Sequence, residues 1–425
     1  MGAILLKNIT INDSSRDVFI DGGVICRIEP AGACLGWDIA GDVEVMDCTD
    51  KVAIPGFVNM HTHAGMSLMR GIGEDMVFQD WLSKIWKVEE GIDRDFVYWS
   101  TKVACLEMIR TGTTTFNDQY WYFDEAHRAA QEMGIRVATG YDIIDYNDPK
   151  LSGVEKERCE RKYEEFAGKW TDGSIYQLSF HAIYSVTEPM MIWAAEFARS
   201  KGINLHIHLC ETRKEVSDCK ELHGGLTPVE YLDELGVLGP NLIAAHTLWL
   251  TEHDVEILAG RGVHCVHNVN SNTKLASGYR FLYNELRDAG ANVCIGTDGC
   301  ASSNNLDILE AMKTSAIFQK AWRDDPSAMP LPELLDMATV NGARALKIDT
   351  GALEVGKIAD ITIVEADSTY FMSPGPFLAN LVYSAHSDCV DSVIAGGRFV
   401  MRGRHIDGEK EILREARRVI DKLKH

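Results

Sequence analysis

Pro55-Gly56-Phe57-Val58-Asn59-Met60-His61-Thr62-His63 sets two imidazoles two residues apart at the end of an apolar run. Alternation along a strand points His61 and His63 to one side. Three further short apolar runs close on metal-capable residues: Asn204-Leu205-His206-Ile207-His208, Leu242-Ile243-Ala244-Ala245-His246, and Asn292-Val293-Cys294-Ile295-Gly296-Thr297-Asp298. A lone His-x-His is more often structural than ligating, and a lone Asp after an apolar run is commonly a turn residue. Strand-end histidines and an aspartate in this order, separated by helix-sized gaps, have few such explanations. They read as one divalent-metal site spread over successive strand ends.

The gaps carry helical periodicity, over residues 97–110, 123–133, 188–200, 227–235, 252–261 and 306–321. Alternating strand and helix implies an α/β chain with a parallel sheet. Chemical residues at several strand ends favour a closed (β/α)₈ TIM-like barrel, whose sites form at the C-terminal face. A doubly wound open sheet gathers ligands at one switch point, and no Gly-x-Gly-x-x-Gly loop follows the first strand here. Before residue 55 and after residue 350 the texture changes to short alternating runs with Gly turns, such as Val18-Phe19-Ile20 before Asp21-Gly22-Gly23. The expected organisation is therefore residues 1–55 as the first part of a small β-sandwich domain, 56–350 as the barrel, and 351–425 as the rest of the small domain. Strand texture is expected within 351–360, 361–364 and 390–400, and a surface helix over 410–423.

Sixty-three acids against 42 bases give a formal charge of −21, which repels phosphate and argues against a nucleic-acid surface. The start of the chain lacks the basic and apolar parts of a signal peptide, and no stretch approaches a membrane span. A soluble cytoplasmic protein is expected. Eleven cysteines, an odd count without a Cys-x-x-Cys pair, read as reduced core residues rather than a disulfide framework.

His61, His63 and His208 offer nitrogen and Asp298 offers oxygen, a donor set that suits Zn²⁺ and also Fe²⁺ or Mn²⁺. Three or four protein ligands leave a position open for water. His206 also points inward if 204–208 is one strand, but one layer deeper, where a hydrogen-bonded core histidine is the better reading. Glu211 follows His208 by three residues, where a carboxylate can shuttle a proton to a substrate nitrogen. His246 is either a further ligand or a group that orients the nucleophilic water, and the second role is favoured.

The pattern resembles the amidohydrolase superfamily, in particular its mononuclear-metal branch that includes 5′-methylthioadenosine/S-adenosylhomocysteine deaminases, with triazine chlorohydrolases as relatives. The resemblance spans nearly the whole chain, from the Pro55–His63 run through His208 with Glu211, His246 and Gly296-Thr297-Asp298-Gly299 to Gly356-Lys357-Ile358-Ala359-Asp360. The run Leu178-Ser179-Phe180-His181-Ala182-Ile183-Tyr184-Ser185 carries no lysine where relatives with two bridged metals place one, so one metal is implied. The resemblance further implies that His181 hydrogen-bonds the purine, that Trp81 packs near the substrate, that Glu89 (or, failing it, Glu90) grips the ribose hydroxyls, and that Ser302 contacts the substrate. Packing alone is the plain alternative for Trp81, a core histidine for His181 and a helix N-cap for Ser302. Catalysis falls to Glu211, His246 and Asp298, and the activity implied is hydrolytic deamination of a 5′-modified adenosine. The alternatives are another N-heterocycle (guanine, pterin or triazine) or an inactive binding protein on the same fold. Members that bind the S-adenosylhomocysteine tail place arginines after the third strand. This chain has Tyr141 and Asp142 there, with Arg158 and Arg161 further on. The expected partner is a small molecule, and a homo-oligomer is open by analogy.

Overall fold

The computed structural model describes residues 2–37 and 42–421. Five strands open the chain: β1 (Ala3–Ile11), β2 (Ser14–Asp21), β3 (Val24–Pro30), β4 (Val43–Asp47) and β5 (Lys51–Pro55). Eight occupy its centre: β6 (Phe57–Thr62), β7 (Thr113–Asp118), β8 (Arg136–Ile143), β9 (Ile175–Phe180), β10 (Leu205–Leu209), β11 (Leu242–His246), β12 (His264–His267) and β13 (Asn292–Ile295). Three follow near the end: β14 (Ile361–Glu365), β15 (Val390–Ala395) and β16 (Arg398–Met401).

The central strands form one parallel sheet in chain order from β6 to β13, as helical crossovers between successive strands require. Its two ends meet. The Asp298 N–H donates to the His61 carbonyl at 2.9 Å, and the Asn59 side chain bonds both the N–H and the hydroxyl of Thr297. Gly296 permits that approach, since a Cβ there would lie 2.8 Å from the His61 nitrogen. The seam of the barrel therefore runs through the residues expected to hold metal. Val58, Met60, Ala138, Ile243, Val266 and Cys294 join Ala345 and Leu346 in one buried cluster. These come from strands on opposite sides of the ring, so they meet only on its axis and fill the base of the barrel.

Outer helices start where side chains cap them. Thr212 accepts from the Glu215 N–H, while Thr227 with Glu230 and Thr251 with Asp254 form capping boxes. The predicted helices at 123–133 and 252–261 coincide with Phe123–Met133 and Glu252–Arg261. The helix predicted from 97 begins at Arg94, because Asp93 caps it by accepting from the Phe96 N–H. Phe78–Glu89, Pro149–Phe166 and Arg213–Leu222 are helices that the periodicity did not announce.

The two chain ends share a second, mixed sheet in the order β16-β15-β14-β5-β1-β2-β3, with β4 beside β1. Strand β5 joins the halves, antiparallel to β14 and touching β1 through Val52 and Thr10. Ile4, Leu6, Ile9, Val18, Ile20, Ile361, Ile363 and Ile394 form its core. Residues 351–360 differ from the strand texture expected there: they hold one isolated bridge, Ile358 to Val24, because their backbone turns to bring Asp360 against the barrel. The terminal helix, Glu409–Ile420, buries Ile412, Ala416 and Val419, and its Arg418 pairs with Asp95 of the barrel. Residues 422 and 423 of the predicted helix lie outside the described residues. Among the described residues no helix is long and apolar enough to cross a membrane.

Asp360 fastens the small sheet to the barrel. Its Oδ2 accepts from Arg136 Nη1 at 2.8 Å and its Oδ1 from the Gly396 N–H at 2.7 Å, with both side chains of the ion pair buried. Its carbonyl accepts from the Gly56 N–H at 2.9 Å, directly before the first barrel strand. Removing one member of a buried pair leaves the other charge without compensation. Asp360→Ala is therefore expected to lower the unfolding free energy by about 3–5 kcal/mol, measured by denaturant titration. A midpoint equal to that of the parent chain would contradict this account.

Candidate metal centre and substrate cleft

His61, His63, His208, His246 and Asp298 converge at the C-terminal mouth of the barrel. Ligand atoms of His61, His63 and His208, and separately those of His61, His246 and Asp298, lie within 4.8 Å of one another. Asp298 Oδ1 stands 3.3 Å from His61 Nε2 and 3.2 Å from His63 Nε2. Backbone acceptors orient two of the rings: His63 Nδ1 donates to the Gln119 carbonyl and His208 Nδ1 to the His181 carbonyl. A carbonyl only accepts, so each Nδ1 carries the hydrogen and each Nε2 turns a lone pair to the cluster. Those two Nε2 atoms face each other at 3.2 Å, an arrangement that only a proton or a cation between them relieves. The buried Nε2 of His61 likewise lacks a hydrogen-bond partner among the described residues. The residues thus fit a divalent cation.

Electrostatics agree with that fit. Burial drives His61 down to about 4 and His208 well below the ordinary imidazole range, so both rings are neutral ligands near neutral pH. Burial also opposes a charge on His63, yet the Asp298 carboxylate outweighs it and raises that ring to about 9. Asp298 itself, despite burial, is held well below the usual carboxylate range by His61 and His63. Without an ion the cluster keeps a positive charge as a proton on His63, and a metal substitutes for it. His206 lies beneath, its Nε2 3.0 Å from His61 Nδ1 and its Nδ1 3.3 Å from Asn117 Nδ2. It supports His61 as a core histidine would.

Some of the chain's backbone strain lies here. His246, Thr247, Cys210 and Asp298 all have positive φ, between 41° and 74°, a region that non-glycine residues rarely occupy. His246 Nδ1 is 2.8 Å from Asn272 Oδ1, which leaves Nε2 facing Glu211 Oε2 at 3.9 Å. Burial, with the Asp298 charge added, raises Glu211 to about 8. Glu215 holds the backbone that carries it, accepting from the N–H groups of Cys210 and Glu211, both at 2.7 Å.

Above the cluster lies a narrow cavity of about 70 Å³, lined by His63, His181, His208, Glu211, His246 and Asp298 on one side and by Trp81, Trp86, Glu89, Tyr120, Trp121 and Asp142 on the other. Trp81 Nε1 also donates to the Ala301 carbonyl at 3.3 Å, so it both packs and lines. Glu89 faces the cavity with a buried Oε1 that has no partner by hydrogen-bond geometry, whereas Glu90 is exposed outside it. His181 is fixed by Ser185 Oγ at 2.8 Å from its Nδ1 and is lowered by burial to about 3. Ser302 does not line the cavity. It donates to Asp298 Oδ2 at 2.9 Å from behind, and the helix that follows is capped by Asp307 instead.

Sequence patterns did not single out Trp86, Tyr120, Trp121, Gln119 or Glu215. The run Gln119-Tyr120-Trp121-Tyr122, directly after the threonine-rich strand β7, was the available signal for three of them. The others depend on which helix covers the mouth. Arg161 is exposed, and Arg158 reaches an outer cleft but is paired with Glu155 at 2.9 Å.

Comparison with known proteins places this geometry among its relatives. The profile described as Amidohydrolase family matches residues 52–400. A 5′-deoxyadenosine deaminase of Methanoregula boonei is 42% identical over 416 residues, covering 97% of this chain and 93% of its own. A 5-methylthioadenosine/S-adenosylhomocysteine deaminase 1 of Archaeoglobus fulgidus is 40% identical over 424 residues, 99% of each chain. Among solved structures, an adenosine deaminase from Xanthomonas campestris with bound zinc superimposes with a TM-score of 0.91 at 30% identity, covering 99% of this chain and 98% of that one. The profile match over most of the chain, together with near-full-length relatives at about 40% identity, shows that this chain belongs to the amidohydrolase family.

Proposed function

We propose that the protein is a zinc-dependent aminohydrolase that deaminates an adenosine-type nucleoside carrying a modified 5′ position. One observation carries the proposal: a single cavity is lined both by His63, His208, Asp298 and Glu211 of the metal-binding cluster and by Glu89, whose buried Oε1 has no hydrogen-bond partner among the described residues. That combination of chemistry suits a heterocycle over the cluster and a diol at Glu89. The names of the Methanoregula and Archaeoglobus relatives support the same substrate class.

His61, His63, His208 and Asp298 would hold the ion. Bound there, a divalent cation supplies Lewis-acid activation of water near neutral pH. Glu211, kept protonated by burial, donates to the ring nitrogen beside the amine-bearing carbon, which makes that carbon electrophilic. Asp298 and His246 accept or orient the proton of the attacking water. Water then adds to the carbon, the C–N bond breaks, and the amine leaves as ammonia with the ring retaining the oxygen. His181 presents its second ring nitrogen to the purine, and Trp81 packs against the substrate. Glu89 accepts hydrogen bonds from the ribose hydroxyls. Burial raises its carboxyl while Tyr120 and Trp121 act in the opposite sense. Eleven unpaired thiols and an acidic composition support a reducing compartment, the cytoplasm, as the place of work.

Two measurements test the proposal. Glu211→Gln keeps the shape and removes the proton donor, and ammonia release from 5′-deoxyadenosine is expected to fall by about 10²–10⁴-fold while the bound-metal stoichiometry is unchanged. Undiminished turnover in that variant refutes the role of Glu211. Removal of metal with a chelator is expected to abolish ammonia release and to lower the melting temperature, with both restored by Zn²⁺. Full activity in a demonstrably metal-free sample would sink the reading.

A further inference from the structure

The narrow cavity opens into an outer cleft of about 490 Å³, and the two share Glu89, Tyr120, Trp121, Asp142 and Ile144. On the nucleoside reading, with the base over the cluster and the ribose at Glu89, the outer cleft is the space adjoining the ribose site, and Asp142 lines both. The cations of the cleft are locally neutralised: Arg94 by Asp124 and Glu125, Arg158 by Glu155, and Lys162 by Glu165. Asp142 is not. It is the penultimate residue of β8, with Gln119 Nε2 donating to its Oδ1 at 3.0 Å and the Ser179 hydroxyl also stabilising its charge. Both are uncharged groups, and no ion pair among the described residues includes Asp142 or Glu89. The Gln119 backbone carbonyl also orients His63, so the carboxylate is held at a fixed place relative to the cluster.

We infer that Asp142 determines specificity at the 5′ position, rejecting anionic substituents and favouring those that offer a hydrogen-bond donor. The inference rests on the nucleoside reading above. A carboxylate with little water around it repels a phosphate or carboxylate strongly and gains from an ammonium or hydroxyl donor. Burial pushes the Asp142 carboxyl up to about 6, so it is largely ionised above neutral pH. The arginines of the cleft are already committed to their own carboxylates, so none is positioned to offset that charge.

The test compares 5′-amino-5′-deoxyadenosine, 5′-deoxyadenosine and adenosine 5′-monophosphate as substrates of the zinc-loaded enzyme and of Asp142→Asn, which keeps the shape and an acceptor for Gln119. In the parent enzyme kcat/KM should rank the amino compound highest and the phosphate lowest. In the variant the amino-to-phosphate ratio should fall at least about tenfold, mostly through KM, as loss of one charge-assisted contact predicts. A ratio within about twofold of the parent value, with metal content and melting temperature preserved, overturns the inference. Quenching of tryptophan fluorescence, reported by Trp81, Trp86 and Trp121 at the cavity, measures binding of the same three compounds without turnover. If all three bind and none is deaminated, the deamination reading fails, while the binding ratio still decides the role of Asp142. If none of the three compounds binds, both readings are overturned.

Discussion

Two imidazole lone pairs pointing at each other across 3.2 Å are what the mouth of this barrel is built around. His63 and His208 have no freedom to avoid the clash, because each has its Nδ1 hydrogen tied to a backbone carbonyl. Those carbonyls belong to Gln119 and His181, which directly follow the second and fourth barrel strands. The Asp298 that shares the cluster follows the eighth strand, and its N–H closes the ring onto His61. The positive charge that the cluster demands is thus imposed by the backbone of several strands. Such preorganisation explains how a site can bind a small ion tightly without rearranging.

Closing a barrel through its own ligand residues has a cost, visible in the backbone. Four non-glycine residues at this mouth sit in the left-handed region, and they stay there because hydrogen bonds from neighbouring strands and helices over-determine them. Cys210 and Glu211 are held by the carboxylate of Glu215, and His246 by Asn272. The apolar floor below and the Arg136–Asp360 pair at the opposite end leave the strands little room to slide. Stability is concentrated away from the mouth, and the mouth bears part of the strain.

Four carboxylates at the cleft share one cause of behaviour and serve different ends. Burial raises Glu211, Glu215, Glu89 and Asp142 alike. Their partners then separate them: backbone N–H groups hold Glu215, aromatic side chains flank Glu89, and uncharged Gln119 and Ser179 flank Asp142. Glu211 faces His246 and the cluster with its proton retained. The same residue type is held in different protonation and hydrogen-bonding states according to what it touches.

Residues His61, His63, His208, His246 and Asp298 were legible in the chain because they close short apolar runs, with Glu211 three residues beyond His208, and alternation along a strand is a local property. The barrel followed from the same runs, since helix-sized gaps between parallel strands leave few ways to bury both faces. Both halves of the second sheet were also visible as hairpin texture, although the turn at 351–360 was not. Side chains whose roles depend on distant neighbours were hidden. Gln119 meets His63 from 56 positions away, and Glu90 loses to Glu89 only because of how one helix lies over the mouth. Ser302 turns out to brace Asp298 rather than face the cavity. The local order of residues determined which groups reach the strand ends, because strand geometry repeats every two residues. Which of them meet, and that Asp142 shares a cavity with Glu89 and the cluster, was decided only when the eight strands closed, because contacts between strands are set by the ring and not by the chain.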